Sequence, residues 1–180
     1  MIYVFLANGF EECEALAPVD ILRRAGFEVK TVGVGGKTIS SSHGISVLCD
    51  LCEEEAEFSG LEAVILPGGM PGTLNLEQSE TVHRFIDFAA ESKLVIGAIC
   101  AAPLILGHKG LLKDKKATCF TGFEKDLTGA VVLDTPVVID GKTVTAYGAG
   151  AAFDFGFALL EVLRNAEIAD GLKKQMRYTK

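Results

Sequence analysis

The chain has 180 residues, of which 49% are hydrophobic, so it can bury one sizeable core but is too short for two ordinary domains. A single domain over residues 1–180 is therefore expected. The net charge of -7 opposes a broad binding surface for nucleic acid or an anionic membrane, because phosphate groups would be repelled on average. Small molecules or proteins are the expected partners.

No apolar stretch approaches the roughly 20 residues that a membrane helix needs. The apolar opening Ile2–Ala7 runs directly into Asn8, Gly9 and a group of acidic residues, which is not the pattern of a secretion signal. The five cysteines, an odd number, fit reduced thiols better than a disulfide framework. A soluble, cytoplasmic protein is expected.

Short apolar runs alternate with amphipathic stretches in the first part of the chain. Runs that are apolar on both faces are typical of parallel strands covered by helices. The predicted strands are Ile2–Ala7, Val29–Val34, Ala63–Leu66 and Leu94–Ile99. Apolar residues at helical spacing predict one helix from Leu16 to Ala25 and another from Val82 to Ala89. Pro18 is expected to kink the first helix or to cost it its first turn.

The remaining elements follow from turn residues and apolar patterns. Thr38–Leu48 predicts a hairpin-like excursion that turns at Ser40–Gly44. Three further strands are predicted, the last two as a tight hairpin: Val131–Leu133, Val137–Ile139 and Val144–Ala146. An apolar helix is expected over Phe153–Leu163, followed by a polar helix from Glu167 to Lys180.

One cysteine follows a predicted strand and precedes a predicted helix. The strand Leu94–Ile99 runs into Cys100, Ala101, Ala102 and Pro103, and the apolar helix comes next. A nucleophile on such a turn is held in strained backbone geometry at the carboxyl edge of the sheet. The positive end of the helix is expected to lower the pKa of the Cys100 thiol. The alternative is a small buried thiol that fills a turn.

Two other segments are expected at the same edge of the sheet. Gly68 and Gly69 follow the strand Ala63–Leu66. The backbone amides of such a loop can approach an anion or oxyanion closely. The alternative is a plain glycine-rich connection, which has the same sequence pattern. Glu11, Glu12 and Glu14 follow the first strand. One of these carboxyls is expected over Cys100, kept protonated by burial, while at least one of the others complements a helix N-terminus.

Other candidate residues carry weaker patterns. Cys49 and Cys52 have the spacing of a redox or half-zinc motif, but no second pair follows, so no metal site is expected. His43, His83 and His108 are interpreted as surface or capping residues, and only His43 is considered able to reach a site from a neighbouring loop or subunit. No phosphate-loop or dinucleotide signature occurs.

Taken together, the stretch EECEALAPVDILRRAGFEV, the LPGG loop and the GAICAAP turn closely resemble the ThiJ/PfpI family, in its DJ-one branch. The resemblance implies a flavodoxin-like three-layer α/β sandwich with a mostly parallel sheet, usually as a homodimer. It implies Cys100 as nucleophile, Glu14 as its protonated acidic partner, and Gly68, Gly69 and Ala101 as an oxyanion pocket. Family members are reported as cofactor-free glyoxalases, as deglycases, and as oxidative-stress sensors or chaperones.

The sequence also departs from that family. In the DJ-one branch a His commonly lies near the cysteine, and the matching residue here is Phe120. A Cys–His pair is therefore absent at that position. Ala101 stands where the protease-like branch has His, and the amidotransferase pattern of flanking glycines with His-x-Glu does not occur, so neither activity is expected. Ala146–Ala149 replaces Ser-Arg-Gly-Pro, and His43 replaces a pocket-facing Arg, which predicts an altered substrate or anion preference.

Three functions remain open from the sequence. The first is a Cys100 enzyme with weak turnover on small aldehydes or glycated adducts, in which Glu14 moves protons and the amides of Gly69 and Ala101 hold the oxyanion. The second is a redox sensor in which Cys100 is oxidised to a sulfinate held by Glu14. The third is a non-catalytic dimeric interaction module with an inert Cys100.

Overall fold

The structure is a computed structural model that describes residues 1–179. Its strands are β1 (Ile2–Ala7), β2 (Val29–Val34), β3 (Thr38–Ser40), β4 (Ser46–Leu48), β5 (Leu51–Cys52), β6 (Ala63–Leu66), β7 (Val95–Ile99), β8 (Lys116–Ala117), β9 (Val131–Val132), β10 (Val137–Asp140) and β11 (Thr143–Ala146). Its helices are α1 (Glu12–Arg24), α2 (Gly72–Gln78), α3 (Glu80–Glu91), α4 (Pro103–His108), α5 (Ala152–Leu163) and α6 (Ala166–Gln175). Short 3₁₀ turns lie at Glu53–Glu55, Glu124–Asp126 and Ala149–Ala151.

The central sheet has the strand order β10-β11-β7-β6-β1-β2-β5. Neighbouring strands are parallel except β10 and β11, which form the predicted antiparallel hairpin at one edge. The carboxyl ends of β1, β6 and β7 therefore lie side by side. The mostly parallel α/β sheet expected from the sequence is confirmed.

Helices cover both faces of this sheet. Because successive side chains of a strand point to opposite faces, β1 places Ile2, Val4 and Leu6 in one core and Tyr3 and Phe5 in another. The first core is closed by α1, α5 and α6, and the second by α2, α3 and α4. The resulting three layers are those of the predicted sandwich.

Several peripheral elements differ from the prediction. Val131–Val132 is a strand, but it pairs with β8 in a separate two-stranded sheet. β3 and β4 form the hairpin expected over Thr38–Leu48, whereas the short edge strand β5 was not predicted. The last helix ends at Gln175, before the predicted boundary at Lys180, a residue outside the described part of the chain.

Helix α1 begins earlier than its apolar pattern indicates. It runs unbroken from Glu12 to Arg24 with Pro18 inside, so the expected loss of the first turn is wrong. The side chain of Glu11 caps the helix by accepting a hydrogen bond from the N–H of Glu14 at 2.7 Å. This cap secures the turn that carries Glu14.

No helix within residues 1–179 combines the length and apolar character needed to cross a membrane.

Candidate active site

Cys100 comes directly after β7 and has a φ of 64°. This left-handed conformation is strained for a residue with a side chain, because Cβ crowds the backbone. Two hydrogen bonds hold it: the N–H of Cys100 donates to the carbonyl of Ala146, and its carbonyl accepts from the N–H of Phe120, each at 2.8 Å. The predicted sharp turn is present, and loops on either side of it fix the strained residue.

Glu14 is sealed inside the protein, with 1% of its surface exposed. Its Oε2 accepts a hydrogen bond from the N–H of Gly68 at 2.9 Å. Its Oε1 is buried and forms no hydrogen bond with any of residues 1–179. The side chain of Cys100 lies beside this carboxyl, since a Cβ added to Gly68 would lie within 2.6 Å of both Oε2 of Glu14 and the Cβ of Cys100.

The glycine-rich loop after β6 closes over the same sulfur. A Cβ added to Gly68 would lie 2.5 Å from the Cβ of Cys100 and 2.6 Å from Oε2 of Glu14, so a larger residue would push the two groups apart. The backbone N–H groups of Gly69 and Ala101 lie near the Cys100 sulfur and act to lower the pKa of its thiol. The structure thus brings together all five residues that the sequence proposed for this site.

Burial dominates the ionisation of both reactive groups. It raises the pKa of Glu14 from 4.5 to about 7, and the nearby Glu11 carboxylate acts in the same direction. Burial and the charge of Glu14 raise the pKa of the Cys100 thiol to about 12, against the effect of the Gly69 and Ala101 amides. The expectation that the helix end lowers the pKa of the thiol is wrong, because two amide donors do not offset burial beside an acid.

Glu11 and Glu12 serve other purposes than Glu14. Glu11 caps α1, and its N–H donates to the carbonyl of Gly68 at 2.9 Å, which joins the helix start to the glycine loop. Glu12 pairs with His43, with 3.0 Å between Oε1 and Nδ1. Ligand atoms of Glu11, Glu12 and His43 lie within 4.8 Å of one another, but the cap and the ion pair already occupy these side chains.

The three histidines have partners outside the Cys100 pair. His43 contacts Glu12, while His83 and His108 both contact Glu77, through its carbonyl at 2.6 Å and its carboxylate at 2.5 Å respectively. The carboxylate also raises the pKa of His108. These contacts agree with the surface and capping roles expected for them.

Cys49 and Cys52 are free thiols in the structure. Cys49 is buried, which raises its pKa to about 11, and Cys52 is partly exposed. Neither belongs to a group of three candidate ligands within the described residues.

Fold and site together define an α/β sandwich protein with a cysteine on a strand-to-helix elbow and a sealed carboxyl against its thiol. Residues 1–162 match the model of the DJ-1/PfpI family. The chain belongs to this family, as its motifs indicated.

Relatives and solved structures agree with this assignment. The Parkinson disease protein 7 homolog of Danio rerio is 33% identical over 175 residues, which cover 94% of this chain and 93% of the relative. The glutathione-independent glyoxalase DJR-1.2 of Caenorhabditis elegans is 28% identical, with 94% and 91% covered. The structure of oxidized Toxoplasma gondii DJ-1 superposes with a TM-score of 0.94 at 30% identity, covering 99% of this chain and 98% of that one.

Some relatives are much longer than this chain. Protein DJ-1 homolog B of Arabidopsis thaliana is 35% identical over 162 residues, which cover 89% of this chain but only 37% of the relative. Homolog A of the same organism is matched over 43% of its length. The chain therefore spans less than half of either Arabidopsis protein.

Proposed function

We propose that this protein is a cofactor-free enzyme in which Cys100 attacks small reactive carbonyl compounds or their glycation adducts. The observation that carries the proposal is the close approach of the buried Glu14 carboxyl to Cys100, which itself lies on a strained turn. A relative named as a glutathione-independent glyoxalase supports the same class of substrate.

Glu14 supplies the base that a Cys–His pair would otherwise provide. A general base works best when its pKa lies near the working pH, and burial raises the pKa of Glu14 to about 7. The thiol and the carboxyl are too close to be ionised together, so near neutral pH they hold one proton between them. Transfer of that proton to Glu14 leaves the sulfur as the nucleophile, with the Gly69 and Ala101 amides donating to it.

With methylglyoxal, the sulfur forms a bond to the aldehyde carbon, and the electron pair of the C=O bond moves to oxygen. Glu14 returns the thiol proton to that oxygen, which gives a neutral hemithioacetal. The nearest backbone donors for the transient oxyanion are the N–H groups of Gly69 and Ala101.

Glu14 next removes the proton from the former aldehyde carbon, and the electron pair forms an enediolate with the neighbouring carbonyl. Glu14 returns that proton to the neighbouring carbon, and the hydroxyl proton on the first carbon passes to the oxygen of the neighbouring carbon, which gives the thioester of lactate. Water then cleaves the thioester, releasing lactate and restoring the thiol. The net reaction is methylglyoxal plus water to lactate, so no external oxidant or reductant is needed.

Turnover is expected to be weak, because Phe120 stands at the position where the family resemblance implies a His near the cysteine. One carboxyl must then serve both the thiol and the carbon-bound proton. The test is D-lactate formation from methylglyoxal by the wild type, Cys100→Ser and Glu14→Gln. A wild-type rate no higher than that of Cys100→Ser would contradict the proposal.

A second function is favoured by the donors around the sulfur. The Gly69 and Ala101 amides and a protonated Glu14 form a set that would hold the oxygens of a sulfinate, made when Cys100 reacts twice with a peroxide. Mass spectrometry after mild peroxide treatment tests this role. Addition of two oxygens concentrated on Cys100 supports a sensor, and oxidation spread evenly over the five cysteines counts against it.

A further inference from the structure

A cavity of about 690 Å³ lies beside the Cys100 elbow, and it does not include the sulfur or Glu14. Its walls come from the segment after β8, the end of β9 and the turn after β11: Thr118–Thr121, Glu124, Val132–Asp134 and Tyr147–Gly150. This volume is typical of sites for small organic molecules.

Two aromatic side chains line the cavity and remain open to it. Phe120 is 50% exposed and Tyr147 is 38% exposed, which is high for large apolar side chains of a folded domain. Gly148 lies against Phe120, since a Cβ there would be 3.2 Å from the ring. Val132 and Leu133 add aliphatic surface to the lining.

The charged groups in the lining are all acidic. Glu124 and Asp134 are exposed carboxylates, and no lysine, arginine or histidine lines the cavity. Within residues 1–179 neither carboxylate forms an ion pair, although Glu124 accepts a hydrogen bond from the N–H of Gly122 at 2.8 Å. The cavity therefore offers uncompensated negative charge next to aromatic rings.

We propose that this cavity is a binding site for a small organic cation with an aromatic or aliphatic body. Aromatic rings attract such cations through their negative faces, and carboxylates at the rim add electrostatic attraction. An anion of the same size would meet the two carboxylates without any cationic partner, so it is disfavoured. The aliphatic wall and the volume exclude a preference for a bare metal ion, which would need converging oxygen ligands.

The cavity adjoins the site of the proposed chemistry. Phe120 lines the cavity, and its backbone N–H holds the carbonyl of Cys100 at 2.8 Å. Because binding is measured without turnover, the presence of this site and the proposed enzyme function can fail independently.

The probe is benzyltrimethylammonium, compared by isothermal titration with benzyl alcohol and benzoate on the full chain. The cation is expected to bind about tenfold or more tightly than benzoate, since the aromatic rings and the carboxylates both attract the cation, while the carboxylates repel benzoate. Higher salt concentration should weaken binding of the cation. Equal or tighter binding of benzoate would overturn the proposal.

Variants locate the binding. Tyr147→Leu and the double variant Glu124→Gln with Asp134→Asn should each weaken binding of the cation by about threefold or more. Glu161→Gln, an exposed acid on α5 outside the cavity, is the matched control and should bind like the wild type. Circular dichroism shows whether each variant is folded. Unchanged affinity in both folded cavity variants would place the cation elsewhere and refute the assignment.

Discussion

Replacing Glu14 by Gln removes a buried ionisable group but keeps its size and its hydrogen-bond acceptor for Gly68. The pKa of Glu14 in the folded protein is raised from 4.5 to about 7, chiefly by burial. The folded state therefore holds this proton more tightly than the unfolded chain. It follows that Glu14 lowers the free energy of unfolding progressively as the pH rises from about 4.5 to about 7.

The size of this effect follows from the shift in pKa. Each pKa unit corresponds to about 1.4 kcal/mol, so ionised Glu14 is expected to cost the fold about 3 kcal/mol at pH 8. Glu14→Gln lacks this cost. Relative to the wild type, the variant should gain about 3 kcal/mol of stability between about pH 4.5 and pH 8.

The measurement is urea denaturation of wild type, Glu14→Gln and Glu161→Gln at several pH values across this window. Glu161 is exposed, so its replacement controls for the loss of one negative charge. A difference between wild type and Glu14→Gln that stays constant with pH would show that Glu14 ionises in the folded protein as easily as in the unfolded chain. The assignment of Glu14 as a base near neutral pH would then be wrong.

Three further outcomes are expected. Alkylation of Cys100 by iodoacetamide should rise in two steps. The first has its midpoint near the Glu14 pKa of about 7, because the pair then loses its first proton, and the second lies above pH 9, because the pKa of the thiol is raised to about 12. Glu14→Gln should lose the first step, and a wild-type rate without a step near pH 7 would contradict the prediction. Gly68→Ala should abolish the alkylation step near pH 7, because its added Cβ would lie 2.5 Å from the Cβ of Cys100 and 2.6 Å from Oε2 of Glu14. Gly171→Ala, whose Cβ would have nothing within 4 Å, should keep the step, and the same pH profile in both variants would refute the close approach. Phe120→His should increase D-lactate formation by about tenfold or more, because it adds a second base, while Phe120→Leu should not. The same rate in both variants would argue against the missing His as the cause of weak turnover.

The strands of the central sheet could be predicted from the sequence because they are buried on both faces. Runs such as Ile2–Ala7 and Ala63–Leu66 have no polar side, which leaves the interior of a covered sheet as their place. The edge strand β5 and the pairing of β8 with β9 were missed because two-residue strands carry no periodic pattern. Their pairing depends on which neighbours the fold brings alongside.

The start of α1 illustrates a local signal that an apolar pattern does not carry. The pattern indicated a helix only from Leu16, and Pro18 suggested a disturbed first turn. The Glu11 carboxylate provides the cap that lets the helix begin at Glu12. The acidic stretch thus contains a helix cap, a surface ion pair and the buried acid, and residue type alone does not separate these roles.

The cavity beside Phe120 had no counterpart in the sequence. Its lining comes from three segments, 118–124, 132–134 and 147–150, that do not adjoin in the chain. Only the folded arrangement places Phe120, Tyr147, Glu124 and Asp134 around one volume.

The residues of the Cys100 site could be selected from the sequence alone, because a turn between strand and helix and a glycine-rich loop leave local patterns of residue types. Family resemblance then singled out Glu14 among three neighbouring acids. The pKa values of Glu14 and Cys100 were decided only by the tertiary structure. The pKa of the thiol is raised, whereas the sequence had predicted that it would be lowered. The physical reason is that a pKa depends on how far water is excluded from the group and on which charges lie near it. Both are set here by segments that are far apart in the chain: α1, the loop after β6 and the turn after β7.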